Sequence, residues 1–491
     1  MRDMLKTGCR RRCPVPSKKG LGALRRGKEW RESEWTASSV QTTGVKSNRE
    51  ERNKRKEIYN DFAQFACFAD QNGKTNPCKL FKSMSKETNR SIITLFSARI
   101  IRLFCYGFLS VILALYLAQI GLIEQQIGLL FTLTLVGDAG ISLWLTTSAD
   151  RIGRKRTLIV GALLMLGAGV VFIVTHNILL LLAAAIIGVI SPSGNEIGPF
   201  LSVEQAALTQ LLPNEKRTQA FAWYNLIGSF ATATGALSGG WLAQVLQFRG
   251  MSALDAYRAV LMGYALGGLI LFILFLTLSR DVEVAAASQT ESNRRVLGLH
   301  RSRNVVIRLS ALFALDAFAG GLIVQAMIAY WFHIKFGIDA GIIGSIFFGA
   351  NILAGISALL AARLANRIGL INTMVFTHIP SNLLLILVPL MPTLPLAITV
   401  LLLRFSISQM DVPTRQSYTM AVVSPDERSA ASGVTNIARS VGAAISPSLT
   451  GIFFAVPTLL SVPFYLAGGL KIVYDVLLYR GFRTMKPPED K

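Results

Sequence analysis

A charge inside a long apolar run is costly and persists only with a partner or a task, so the embedded charges of this chain are the residues that could do chemistry. Arg404, Ser408, Asp411 and Arg415 follow at steps of 4, 3 and 4 and share one helical face within about 60°. Arg404 lies deepest and, with Ser408, is assigned to a substrate cavity. Asp411 one turn from Arg415 reads either as a salt bridge holding the helix to its neighbours or as a gate, with Pro413 as a weak point between them. Glu196 and Glu204, in the stretch SGNEIGPFLSVEQAAL, lie eight residues apart, about 80° around a helix. Carboxyls in such surroundings can take up and release protons near neutral pH. The alternatives are that Glu196 caps a broken helix and that Glu204 sits at the cytoplasmic interface. Asp316 has no charged neighbour at helical spacing and needs a partner from another run, either an arginine or a proton. Glu196, Glu204 and Asp316 are therefore the proton-coupling candidates. Arg102, three residues after Arg99, is the second cationic candidate for the cavity. Arg439, Lys471 with Asp475, and Asp138 read as inter-helix pairs, and His333 and His378 as interfacial or core residues.

The elements that must position these groups are membrane spans. A bilayer crossing needs about 20 apolar residues. Twelve runs qualify, near 97–118, 127–148, 157–175, 178–200, 219–246, 257–278, 308–331, 340–362, 371–391, 394–416, 430–454 and 458–479. The polar stretch 280–307 divides them six and six and reads as a cytoplasmic linker between a bundle over 91–279 and a second over 308–480, with a tail at 481–491. Lys and Arg collect in the connections after even-numbered spans, which places both termini and the linker in the cytoplasm.

Composition excludes most other classes. The chain is 52% hydrophobic and only 16% charged, with a mean hydropathy of +0.47, too apolar for a water-soluble surface. The net charge of +22 is concentrated at the start: residues 1–90 hold 22 Lys/Arg against 10 Asp/Glu. That stretch reads as a basic, disordered cytoplasmic extension, with an organelle-targeting leader as the alternative. Met84 opens a natural lead-in to the first span, so an over-extended start is a further reading. The basic tracts lack aromatic interleaving, and no nucleic-acid partner is expected. Five cysteines without zinc or disulfide spacing read as free thiols, and neither a nucleotide-binding GxxxxGK[ST] nor HExxH is present. No enzyme, cofactor or metal is expected.

The two halves echo each other. Ala149-Asp150-Arg151-Ile152-Gly153 returns 216 positions later as Ala365-Asn366-Arg367-Ile368-Gly369. Pro213-Asn214-Glu215-Lys216-Arg217 returns as Pro425-Asp426-Glu427-Arg428, and Gly240 as Gly451, 211 positions on. A duplicated six-helix unit with a site between the halves is a transporter layout. The segment ADRIGRKR (149–156) resembles the cytoplasmic signature of the major facilitator superfamily, approximately GxLaDRxGRKxxL, through Asp150, Arg151, Gly153, Arg154 and Lys155. Thr146 and Ser148 stand where that pattern has Gly and Leu. Gly235-Ala236-Leu237-Ser238-Gly239-Gly240 is similar to the GPxxGG element of the superfamily's proton-coupled antiporters, with Ala236 in place of proline. The resemblance implies an all-α membrane protein of twelve helices in two bundles that rock about a midplane cavity. It assigns Asp150, Arg151, Gly153 and Arg154 to gating, beside the gating pair Asp411 and Arg415 read from the span 10 stripe. The expected function is proton-driven antiport of a small organic compound out of the cell by a monomer in the cell membrane. Proton-coupled uptake of an anionic solute, with Arg102 and Arg404 as counter-charges, is the chief alternative, and a non-transporting sensor is a distant third.

Overall fold

The computed structural model describes residues 86–194, 200–283, 301–424 and 427–485, and regular structure within them is helical. A chain in hydrocarbon must satisfy its backbone hydrogen bonds internally, and the helix does so segment by segment. Ten described helical segments are long and apolar enough to cross a membrane. The other two of the twelve spans are the fourth, made of two shorter helices, and the fifth, Asn214–Phe248, whose Thr, Ser and Gly dilute its apolar character. The fold is the two-bundle, twelve-helix arrangement. Its outer surface is apolar: on span 6 (Ala253–Leu276), Met262, Leu266, Ile270 and Ile273 form an exposed stripe at helical spacing, while Tyr264, Leu271 and Phe275 on another face are buried.

Spans 1, 4, 7 and 10, the first and fourth of each half, are each two helices in series. Span 1 is Lys86–Ser110 then Leu113–Gln119; span 4 is Ile178–Ile187 then Phe200–Leu211. Span 7 is Arg303–Gly321 then Gln325–Phe336; span 10 is Leu394–Ser408 then Asp411–Val422. Span 4 therefore runs about eleven residues beyond the end at 200 expected from hydropathy. The apolar count stops at Glu204, whereas the helix continues because that charge finds a partner.

Spans 2 (Glu124–Ile152) and 11 (Arg428–Phe454), and spans 5 and 8 (Ala340–Ile368), carry the packing between the halves. Gly240 sits against the Ala340 carbonyl and Gly344; Gly451 sits against the Glu124 carbonyl and Gly128. A methyl group at either glycine would collide with backbone, which is why small residues occupy the crossing. The second crossing is the duplicate of the first, since Gly128 and Gly344 are also one repeat apart. Hydrogen bonds join the halves in the part of the molecule farther from the linker. They run from Gln325 Nε2 to Ser110 Oγ (2.7 Å), from Trp241 Nε1 to Ser345 Oγ (2.9 Å) and from Tyr330 Oη to Glu124 Oε1 (3.2 Å). That face is held shut.

Candidate functional site

In the first half, Arg102 and Glu204 are fully buried and face each other across spans 1 and 4. Arg102 donates through both terminal nitrogens to the two carboxylate oxygens, at 2.6 and 2.8 Å. Bidentate geometry of this kind is the strong form of the ion pair. The Tyr224 hydroxyl of span 5 donates to the same carboxylate, and the Phe200 ring lies 4.6 Å from the guanidinium carbon. Arg99 joins the group, donating from Nε to the Tyr224 carbonyl oxygen at 2.8 Å. Two residues that the sequence places separately, one in a substrate cavity and one as a proton site, are thus brought together and compensate each other. Tyr224 was not legible as a participant, because nothing in its local spacing marks it.

The second half holds a larger cluster. Asp316 on span 7 is buried and accepts from Lys471 Nζ of span 12 at 2.5 Å, from Arg415 of span 10 at 3.0 Å and from Arg439 of span 11 at 3.3 Å. Arg415 also donates to Asp411 at 2.9 Å, the i,i+4 pair the stripe announces. Asp475 of span 12 accepts from His378 Nδ1 at 2.9 Å and from Asn382 Nδ2 at 3.1 Å, while His378 Nε2 lies 4.0 Å from Asp316. One carboxylate therefore ties four spans together through three cations. Arg439 is the accessible edge of the group, with 31% of its side chain exposed. The arrangement repeats that of the first half with the signs exchanged. The first span of each half faces the fourth, Arg102 to Glu204 and Asp316 to Arg415, and Glu204 and Arg415 are 211 positions apart.

Arg404 and Ser408 lie on the buried face of span 10 that Asp411 and Arg415 continue. Of the remaining sequence candidates, Glu196 lies outside the described residues, as do the side chains of Asp150 and Arg151. Gly153 takes φ +104° at the start of span 3 (Arg154–Val174), and its repeat partner Gly369 takes φ +86° at the start of span 9. Only glycine adopts that backbone without strain, so the sharp turn is duplicated with the sequence. Arg154 and Lys155 donate their backbone N–H groups to the Glu283 carboxylate at 2.7 and 3.1 Å, so the first turn of span 3 is capped by an acid from beyond span 6. The Arg154 guanidinium donates to Gln210 Oε1 at 2.8 Å. Glu283 escaped the sequence reading, since a cap contributed from 129 positions away leaves no local pattern. Glu427 does the same for span 7, accepting from the N–H groups of Arg301 and Ser302 at 2.8 Å each.

Twelve spans in two duplicated bundles, with most of the buried charges on four broken helices, are the layout of a membrane transporter. The family model described as Major Facilitator Superfamily matches residues 95–447 and 336–491. The chain belongs to the Major Facilitator Superfamily. It is 30% identical over 422 residues to a membrane protein of Saccharomyces cerevisiae named YJR124C and described as uncharacterized, covering 80% of this chain and 94% of the yeast protein. It is 24% identical over 157 residues to the quinolone resistance protein NorA of Staphylococcus aureus, 32% of this chain and 39% of NorA. A bacterial homologue of the human lysosomal transporter Spinster, solved inward-facing and unoccupied, shares the fold with a TM-score of 0.62 at 16% identity, covering 81% of this chain and 96% of that one.

Proposed function

We propose that this protein couples the movement of a small organic solute across a cell membrane to that of protons, with Asp316 as the group whose charge changes during the cycle. The observation that carries this reading is the sharing of Asp316 among Lys471, Arg415 and Arg439 from three different spans. A proton arriving on that carboxyl cancels the one charge all three cations face, so a single event loosens spans 7, 10, 11 and 12 together. Spans 7 and 10 are broken helices, which makes them the elements best able to re-angle. Among the described residues, the Glu204 carboxylate has one cation directly on it, Arg102, and this pair is better suited to bracing its half. Export of the solute in exchange for protons is the second reading on direction, favoured by the likeness to NorA and by the glycine-rich run of span 5. With both termini cytoplasmic, the closed face is the external one and the conformation is inward-facing.

The test uses purified protein in proteoliposomes carrying an imposed pH gradient, with fluorescein and rhodamine 123 as paired probes that share a ring system and differ in charge. Wild-type protein is expected to move at least one probe at a rate set by the gradient. Asp316→Asn should lose the gradient dependence and retain probe-for-probe exchange. Wild-type flux that ignores the pH gradient for both probes would overturn proton coupling.

A further inference from the structure

Arg404 is the buried cation the mechanism leaves unused. It is 9% exposed, ten residues into span 10, or about 15 Å below the start of that helix, near the middle of a hydrocarbon layer about 30 Å thick. Among the described residues it makes no ion pair and no hydrogen bond; its Nε is buried without a partner, and its one polar-type contact is with the Phe405 ring, 4.9 Å from the guanidinium carbon to the ring centre. One turn on, the same face presents Ser408, 5% exposed, whose hydroxyl is also buried and unpartnered. Among the described residues, the buried acids already hold other partners. Asp411, two turns away on that face, holds Arg415; Asp316 holds three cations; Asp475 holds His378 and Asn382; and Glu204 holds Arg102. Described buried cations within the spans (Arg99, Arg102, Arg404, Arg415 and Lys471) outnumber the buried acids Glu204, Asp316, Asp411 and Asp475 by one.

A desolvated guanidinium without a counter-ion costs several kcal/mol, whereas an oxyanion presented to its planar fork forms paired charge-assisted hydrogen bonds. We infer that Arg404 and Ser408 form a docking site for the carboxylate or phosphate of the transported solute, which is therefore an organic anion. This inference rests on the transport reading above. Arg102 takes no part, because both of its terminal nitrogens are used by Glu204. A lipid headgroup is excluded by depth.

The experiment measures thermal melting of the full-length protein in detergent with benzoate, phenyl phosphate, inorganic phosphate or benzylammonium at matched ionic strength. Benzoate or phenyl phosphate should raise the wild-type melting temperature, Ser408→Ala should weaken that rise, and Arg404→Gln should abolish it. Inorganic phosphate acting as well as phenyl phosphate would assign the site to the free ion and overturn the organic anion as its ligand. Without ligand, Arg404→Gln should melt about 2 °C or more above wild type, because an uncompensated charge has been removed. A lower melting temperature for that variant would make Arg404 a structural residue and overturn the proposal, as would benzylammonium matching benzoate or a lack of protection by either organic oxyanion. The two readings separate in proteoliposomes. Gradient-driven flux of rhodamine 123 alone sinks the anion site and leaves proton coupling standing; Arg404-dependent fluorescein flux indifferent to pH does the reverse.

Discussion

Glu204→Gln tests whether the Arg102–Glu204 pair braces the first bundle. Both side chains have no solvent exposure, and Glu204 supplies both oxygens within 2.8 Å of the guanidinium. Replacing the carboxylate with an amide leaves Arg102 charged and buried without a counter-ion, a loss of about 3–5 kcal/mol. At about 1.4 kcal/mol per factor of ten, that shifts the folded population at least a hundredfold, a large share of a total stability of about 5–15 kcal/mol. Removing both charges in Arg102→Met/Glu204→Gln takes away the stranded ion as well, so most of the loss should return, with an interaction energy of about 2–3 kcal/mol in the double-mutant cycle. The assay is thermal melting of detergent-purified protein, read beside the monodisperse yield from gel filtration. The single variant should be poorly recovered and melt early, and the double variant should approach wild type. A stable Glu204→Gln that melts with wild type and fails only in proton-driven transport would refute the brace and return Glu204 to the proton-coupling residues.

Two further outcomes follow from the backbone. Gly240→Val and Gly451→Val each press a side chain into the opposing half, an overpacking of about 1–3 kcal/mol that should prise open the face away from the linker and speed maleimide labelling of a cysteine introduced at Ser110, which is buried at the junction of the halves; unchanged labelling would mean that the crossing does not hold that face. Gly153→Ala and Gly369→Ala each force a side chain into a left-handed backbone, a loss of about 1–2 kcal/mol. Gly153→Ala should lower the melting temperature further, because its methyl group would also crowd the Glu283 carboxylate whereas Gly369 faces open space; equal effects would remove Glu283 from the account.

Sequence by itself determined the twelve spans, their division into halves and the duplication, because each depends on local quantities: length of apolar run, loop charge and spacing along one chain. It also determined the Asp411–Arg415 pair, since i,i+4 neighbours on a helix meet whatever the helix packs against. It did not reach the onward helix of span 4 to Leu211, because hydropathy counts a buried acid as an ending. Only the tertiary structure decided which charge meets which. Arg102 and Glu204 are 102 positions apart, and Asp316 meets Lys471 across 155. Such a meeting depends on the rotation and depth of two helices, and these are set by close packing at glycines such as Gly107, Gly235 and Gly239 against backbone. The same packing leaves Arg404 unpartnered among the described residues. Its position on the buried face of span 10 was legible in the stripe, but whether a neighbouring span would bring it an acid was decided by the three-dimensional arrangement of the bundle.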